Sequence, residues 1–149
     1  MSLEFDWLPF DRLSGREVHD LLQLRSRVFV VEQTCAFLDP DGLDPKCWQG
    51  LGREAGVVVA TARIVPPGVK YDEPAIGRVV TAPEVRRTGA GRALMQSAIT
   101  QTHRLYPGQS IRLGAQRYLE KFYGSLGFSP GGEPYDEDGI PHIEMIRPF

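Results

Sequence analysis

The sequence predicts an α/β layered domain built around a mixed sheet. Three observations carry that prediction. β-Branched apolar runs occupy residues 57–65 and 76–81, amphipathic helical periodicity follows residue 14 and again residue 92, and turn formers separate the segments.

The elements follow in order along the chain. Ser14-Gly15-Arg16-Glu17 has capping-box spacing and opens a helix. Val18, Leu21, Leu22, Val28 and Phe29 then recur at near-helical intervals to about Glu32 or Gln33, with a break expected near Leu24. A loop rich in turn formers and acids follows, Leu38-Asp39-Pro40-Asp41-Gly42-Leu43-Asp44-Pro45. A strand near residues 46–51, a turn at Arg53-Glu54-Ala55-Gly56 and the run 57–65, stopped by Pro66-Pro67, read as a hairpin. After a polar loop comes a short strand at 76–81.

The helix from Arg92 carries Leu94, Ala98, Ile99, Thr102 and Leu105 along one face and stops before Pro107-Gly108. Residues 111–115 form another strand and residues 117–126 a second short helix, with Gly127 at the position where a left-handed backbone ends it. Phe128 opens a further strand, residues 135–141 form a turn-rich loop, and residues 142–146 close the sheet. The order therefore starts with a helix, and 149 residues suit a single domain, 1–149.

Composition narrows the function. Hydrophobic residues make up 42% and charged residues 24%, as in ordinary globular proteins. A net charge of −2 argues against a generic nucleic-acid or anionic-membrane binder. No apolar run approaches the roughly 20 residues that span a bilayer, and no secretory leader is recognisable. Cys35 and Cys47 are too few for a disulfide framework and lack metal-site partners, so a cytoplasmic protein with reduced thiols is expected.

The most informative segment is Arg86-Arg87-Thr88-Gly89-Ala90-Gly91, followed by Arg92, between a strand and a helix. Backbone N–H groups of such a turn converge on one anion, the helix dipole adds partial positive charge, and the arginines supply forked donors for phosphate. A P-loop would need Gly-x-x-x-x-Gly-Lys-Ser/Thr, which is missing; a dinucleotide fingerprint would need a small third residue where Leu94 stands.

Arg-x-x-Gly-x-Gly at Arg86, Gly89 and Gly91, with Phe122-Tyr123 and Gly127-Phe128 downstream, resembles the coenzyme-A loop and second signature of the GNAT superfamily of N-acetyltransferases. Leu24-Arg25 with Val28-Phe29-Val30-Val31-Glu32-Gln33, the acidic loop and Asp138-Gly139-Ile140-Pro141-His142-Ile143 extend the resemblance to its ElaA-like branch, over most of the chain. The resemblance implies a GNAT fold, with a mostly antiparallel sheet of about six to seven strands flanked by helices on both faces. It also implies transfer of an acetyl group from acetyl-CoA to a primary amine of a small molecule, peptide or protein.

Residues then take roles from the resemblance. Arg86, Arg87, Thr88, Gly89, Ala90, Gly91 and Arg92 would hold the pyrophosphate. The strand Val79-Val80-Thr81 would bind the pantetheine arm in a splayed sheet, with an N–H near Val80 or Thr81 stabilising a developing oxyanion. Tyr123 would give a proton to the departing thiolate; its alternative is a plain core residue. Glu32 and His142 are the candidates for the base, with helix-end acid and hydrogen-bonded strand residue as their structural alternatives.

Asp39, Asp41 and Asp44 lack the later glutamate of an EF-hand, so no metal is expected, and the loop reads as a solvated turn or an acidic rim for a cationic acceptor. Arg25 and Arg63 either bind an acid group or brace the fold. Edge strands leave a homodimer open. Two other functions share these features. One is acyl transfer like that of acyl-homoserine-lactone synthases, to which Arg25, Phe29, Glu32, Asp41 and Asp44 bear a faint likeness. The other is a non-catalytic acyl-CoA sensor, which would keep the arginine–glycine turn without needing Tyr123.

Overall fold

A computed structural model describes residues 2–149. The capping box closes as expected: Glu17 N–H donates to Ser14 Oγ at 3.1 Å, and Ser14 N–H donates to Glu17 Oε1 at 2.9 Å. It starts α1 (Gly15–Arg25). The helix then widens over Ser26–Glu32, where Gln33 and Cys35 N–H groups reach carbonyls five residues back, at Val28 and Val30. Such π geometry inserts an extra residue per turn and re-aims the side chains beyond it.

The sheet contains β1 (Glu4–Pro9), β2 (Trp48–Glu54), β3 (Val57–Val65), β4 (Ala75–Thr81), β5 (Ile111–Gln116), β6 (Ser129–Pro130), β7 (Tyr135–Glu137) and β8 (Ile140–Arg147). Its order is β1-β2-β3-β4-β5-β8-β6, with β7 pairing on β8. Every pairing is antiparallel except β4 with β5. The long helix α2 (Ala90–Leu105) buries Leu94, Met95, Ala98, Ile99 and Thr102. Each fully buried Leu or Met side chain contributes about 1.5–3 kcal/mol by transfer from water.

Three elements differ from expectation. The chain begins with a strand rather than a helix. In β1, Phe5 and Trp7 stand opposite Gly52 and Gly50 of β2, and a Cβ on Gly50 would lie 2.5 Å from the Trp7 ring. The aromatic rings thus occupy space that the glycines vacate, and Trp7 Nε1 donates to Ser97 Oγ of α2 at 2.9 Å.

The segment 135–141, expected as a loop, folds into the β7–β8 hairpin, because Asp138 (φ 52°) and Gly139 (φ 80°) adopt the left-handed pair that tight hairpins require. The helix expected over 117–126 is a tight turn at Arg117–Leu119 and a short α3 (Glu120–Gly124). Gly127 ends it in the left-handed region (φ 96°), with Phe128 N–H donating to the Tyr123 carbonyl at 3.2 Å.

Candidate active site

Between β4 and β5 the sheet opens. The two strands pair at Ala75 with Arg112 and nowhere further along among the described residues, so β5 leaves the edge of β4 from Gly77 to Thr81 unladdered. A bulge contributes to the opening. Thr61 pairs with Val80 and Arg63 with Gly77, so three steps on β4 answer two on β3, and Arg78 takes up the excess at φ 49°. Val79, Val80 and Thr81, the predicted cofactor strand, lie just beyond that bulge.

Residues 86–91 form the turn that leads from β4 into α2. Arg87 (φ 63°) and Gly89 (φ 88°) both turn left-handed, and Gly89 stands immediately before the first residue of α2. A Cβ placed on Gly89 would meet nothing within 4 Å, so open space lies in front of the helix start. The Thr88 hydroxyl donates to the Val85 carbonyl, which closes the turn from behind. Arg86, Arg87, Thr88 and Gly89 are exposed, and Arg92 is exposed on the first turn of α2. The residues present fit a diphosphate: the turn opens onto a helix N-terminus, and Arg86, Arg87 and Arg92 flank it with three guanidinium groups, of which Arg86 pairs with Glu32 and Arg92 with Ser125.

The two motifs read separately along the chain meet in space. Arg92 donates to Ser125 Oγ at 2.7 Å and stacks over the Phe122 ring at 5.7 Å, and the Phe122 ring lies 3.9 Å from where a Gly91 Cβ would stand. Tyr123, next along, is 6% exposed and packs edge-on against Phe122 and Phe128. Burial pushes its phenol well above the usual range, and its hydroxyl has no hydrogen-bond partner among the described residues.

Glu32 lies at the end of the π turn. It faces Arg86, accepting at 2.7 Å from Nη1 and at 2.5 Å from Nη2. The Arg86 hydrogen bonds hold its carboxyl below the usual range, against a smaller burial effect. Next to it, Gln33 and Gln116 exchange amide hydrogen bonds at 3.3 Å, which ties the π turn to the far end of β5.

The acidic loop is the main departure from the sequence reading. It is no solvated rim: Asp39 and Asp44 are buried, and arginines from three elements hold it. Arg25 of α1 donates to Asp39 Oδ2 at 2.8 Å and to both Asp44 oxygens at 2.9 and 3.0 Å. Arg63 of β3 donates to Asp41 and Asp44 at 2.7 and 2.9 Å. Arg78, at the bulge, donates to the Asp39 carbonyl at 3.0 Å and lies over the Phe37 ring at 5.8 Å. Arg25 and Arg63 thus brace the fold. Burial by itself would raise the Asp41 carboxyl, but hydrogen bonding and charge from Arg63, with Arg78 adding, outweigh it and bring the group to about 2. Asp44 is lowered by the same balance, with Arg25 the principal partner.

A small cavity of about 50 Å³ lies where β4 and β5 diverge. Arg63, Lys70, Tyr71, Arg78, Tyr135 and Glu137 are its polar walls. Apart from Arg63, none of these carries a signal in the sequence; they come from separated segments, and no local pattern joins them. A roomier concavity of about 540 Å³ runs between β1 and α2, lined by Phe5, Trp7 and Arg104 among others. It touches none of the motif residues.

His142 reaches the first cavity through its neighbours. Its Nδ1 sits 2.7 Å from the Ile140 carbonyl, its ring stacks on Tyr135 at 5.7 Å, and its Nε2 lies 3.4 Å from Glu137 Oε2. A carbonyl only accepts, so Nδ1 carries hydrogen and the lone pair of neutral His142 is on Nε2, beside the Glu137 carboxylate. Cys47 is buried, and burial pushes its thiol up to about 11; Cys35 approaches the Asp138 carbonyl at 3.3 Å. Among the described residues, no helix is long and apolar enough to cross a membrane.

Comparison with known proteins bears on this geometry. Residues 46–148 match the family model described as an acetyltransferase (GNAT) domain. A UPF0039 protein of Synechocystis is 43% identical over 147 residues, covering 98% of this chain and 96% of that one. The crystal structure of an acyl-CoA N-acyltransferase from Pseudomonas aeruginosa is similar with TM-score 0.94 and 37% identity, over 98% of this chain and 99% of that one. The crystal structure of Escherichia coli ElaA gives TM-score 0.92 and 38% identity, with coverage of 98% and 99%.

Proposed function

The chain belongs to the GNAT acetyltransferase family, and from that premise we propose that it is an acetyl-CoA-dependent N-acetyltransferase acting on a primary amine. The observation that carries this reading is the opening of the sheet between β4 and β5 beside the turn at residues 86–91. The free edge of β4 at Val79, Val80 and Thr81 suits the amide-rich arm of coenzyme A. Arg86, Arg87, Arg92 and the N–H groups from Arg87 to Arg92, with Thr88, Gly89, Ala90 and Gly91 shaping the turn, suit its diphosphate. When bound, acetyl-CoA supplies the acyl group as a thioester.

Tyr123 holds the proton for the leaving sulfur. A phenol raised by burial stays protonated at neutral pH, and a thiol titrates near ~8.5, so Tyr123 Oη acts mainly by donating a hydrogen bond that strengthens as charge develops on sulfur. A backbone N–H at Val80 or Thr81 does the same for the carbonyl oxygen.

His142 is the better base of the two candidates. With Nδ1 directed at the Ile140 carbonyl, Nε2 is the ring nitrogen that can take a proton, and Glu137 Oε2 lies 3.4 Å from it, where the carboxylate would stabilise the imidazolium formed when an incoming ammonium passes its hydrogen to Nε2. Glu32, lowered by Arg86, is a weak base and competes instead with a diphosphate for that arginine. Thermal stabilisation by acetyl-CoA but not by S-adenosylmethionine, with thiol release on adding amines, is the expected outcome. Stabilisation by S-adenosylmethionine, or no stabilisation by acetyl-CoA, would overturn it.

A further inference from the structure

The cavity between β4 and β5 says something about the acceptor, given the reading above. Its volume of about 50 Å³ leaves room for roughly three to five water-sized groups, at ~10–15 Å³ each. Only a small head group of an acceptor fits inside. The walls are unusually rich in donors. The Arg63 side chain is 3% exposed, yet its Nε has no hydrogen-bond partner among the described residues. Arg78 Nε comes within 2.9 Å of Asp39 Oδ1 but at an angle that leaves both atoms without a hydrogen bond. Burial pushes the Tyr71 phenol up to about 12 and raises that of Tyr135, so both hydroxyls keep their hydrogens. Gly114 makes room for one of them: a Cβ there would stand 2.6 Å from Tyr135 Oη.

The charges can be sorted. Arg25, Arg63 and Arg78 are matched by Asp39, Asp41 and Asp44, so the buried network is neutral within itself. Two charged walls remain for a ligand. One is the Lys70 ammonium, which has no ion-pair partner among the described residues; the other is the Glu137 carboxylate, shared with His142.

We propose that the acceptor is an amino acid, an amine carrying its own carboxylate a few bonds away. The carboxylate takes Lys70 and the spare N–H and O–H donors, while the ammonium lies toward Glu137 and His142, where it loses its proton before attack. A polyamine would bring a second cation toward Lys70, and a lysine side chain of a protein would leave the donors without an anion. Buried donors left unpaired discriminate strongly against ligands that cannot satisfy them.

The test uses the intact protein with acetyl-CoA and a matched acceptor set: each amino acid of a panel, its amide and its decarboxylated amine. Thiol release gives kcat and KM, and calorimetry in the presence of coenzyme A reads binding independently. At least one amino acid should exceed both its amide and its amine in kcat/KM by ten-fold or more. Lys70→Met should raise KM for that amino acid at least ten-fold and reduce its advantage. Amines or amides turned over as well as the amino acids, or a Lys70→Met protein with the parental KM, would overturn the inference while leaving acetyl transfer intact. Absence of turnover with the whole panel would overturn it too, and titration with acetyl-CoA alone then shows whether the acetyltransferase reading falls with it.

Discussion

Arg86 and Glu32 form a two-pronged ion pair, 2.7 and 2.5 Å long, that joins the turn before α2 to the end of the π turn after α1. The pair brings the Arg-x-x-Gly-x-Gly motif against a carboxylate 54 residues earlier in the chain. Both side chains are 40% exposed, so water screens the pair and its contribution is modest.

Glu32→Gln removes a negative charge beside a proposed diphosphate site. Acetyl-CoA should bind more tightly, by up to about five-fold, the scale of a surface pair of ~0.2–1 kcal/mol. The pH–rate profile should match the parent's, because a carboxyl already lowered by Arg86 supplies no base near neutrality. Calorimetry and steady-state kinetics check both points.

Tyr123→Phe should lower kcat about 10²-fold or more, the usual scale for a lost proton donor, and leave acetyl-CoA affinity unchanged. Because the hydroxyl has no hydrogen-bond partner among the described residues, the melting temperature should hold or rise slightly. Unchanged kcat would return Tyr123 to the core, where its packing against Phe122 and Phe128 already accounts for it.

Asp44→Ala should cost about 3–5 kcal/mol in unfolding free energy, since it strips a carboxylate from two buried guanidinium groups. Urea unfolding measures it. A loss under 1 kcal/mol, about a surface pair, would mean that Asp39 and Asp41 compensate.

The same network sets an acid limit. Asp41 titrates at about 2 in the fold against an ordinary 3.8, so its contribution is fully present above about pH 4 and is lost as pH falls toward 2. Stability should decline across that window, and Asp41→Asn should be less stable above it with a flatter slope within it. Unfolding curves at several pH values would show both.

How much of this was legible in the chain depended on distance. The capping box at Ser14, the runs 57–65 and 76–81, and the turn at residues 86–91 are local patterns, and each stands where its spacing places it. β1 was not legible because its Phe5 and Trp7 make sense only opposite Gly52 and Gly50, more than 40 residues away. The Asp138-Gly139 hairpin carried a local signal that the surrounding polar residues obscured. The acidic loop misled for a physical reason. Three aspartates in a row of turn formers look solvated, and nothing nearby shows that Arg25, Arg63 and Arg78 arrive from α1, β3 and β4 to bury them. The cavity residues Lys70, Tyr71, Tyr135 and Glu137 were hidden likewise, since the first two come from the loop between β3 and β4 and the others from β7, and folding alone brings them together.

The most direct measurement is hydrogen–deuterium exchange along the chain with and without acetyl-CoA. The free edge of β4 and the turn into α2 should gain protection together, over residues 76–92, because their unpaired N–H groups would be taken up by the cofactor. Saturating acetyl-CoA that left residues 76–92 unprotected, or that protected the β1–α2 concavity instead, would contradict the assignment of this opening as the coenzyme-A site.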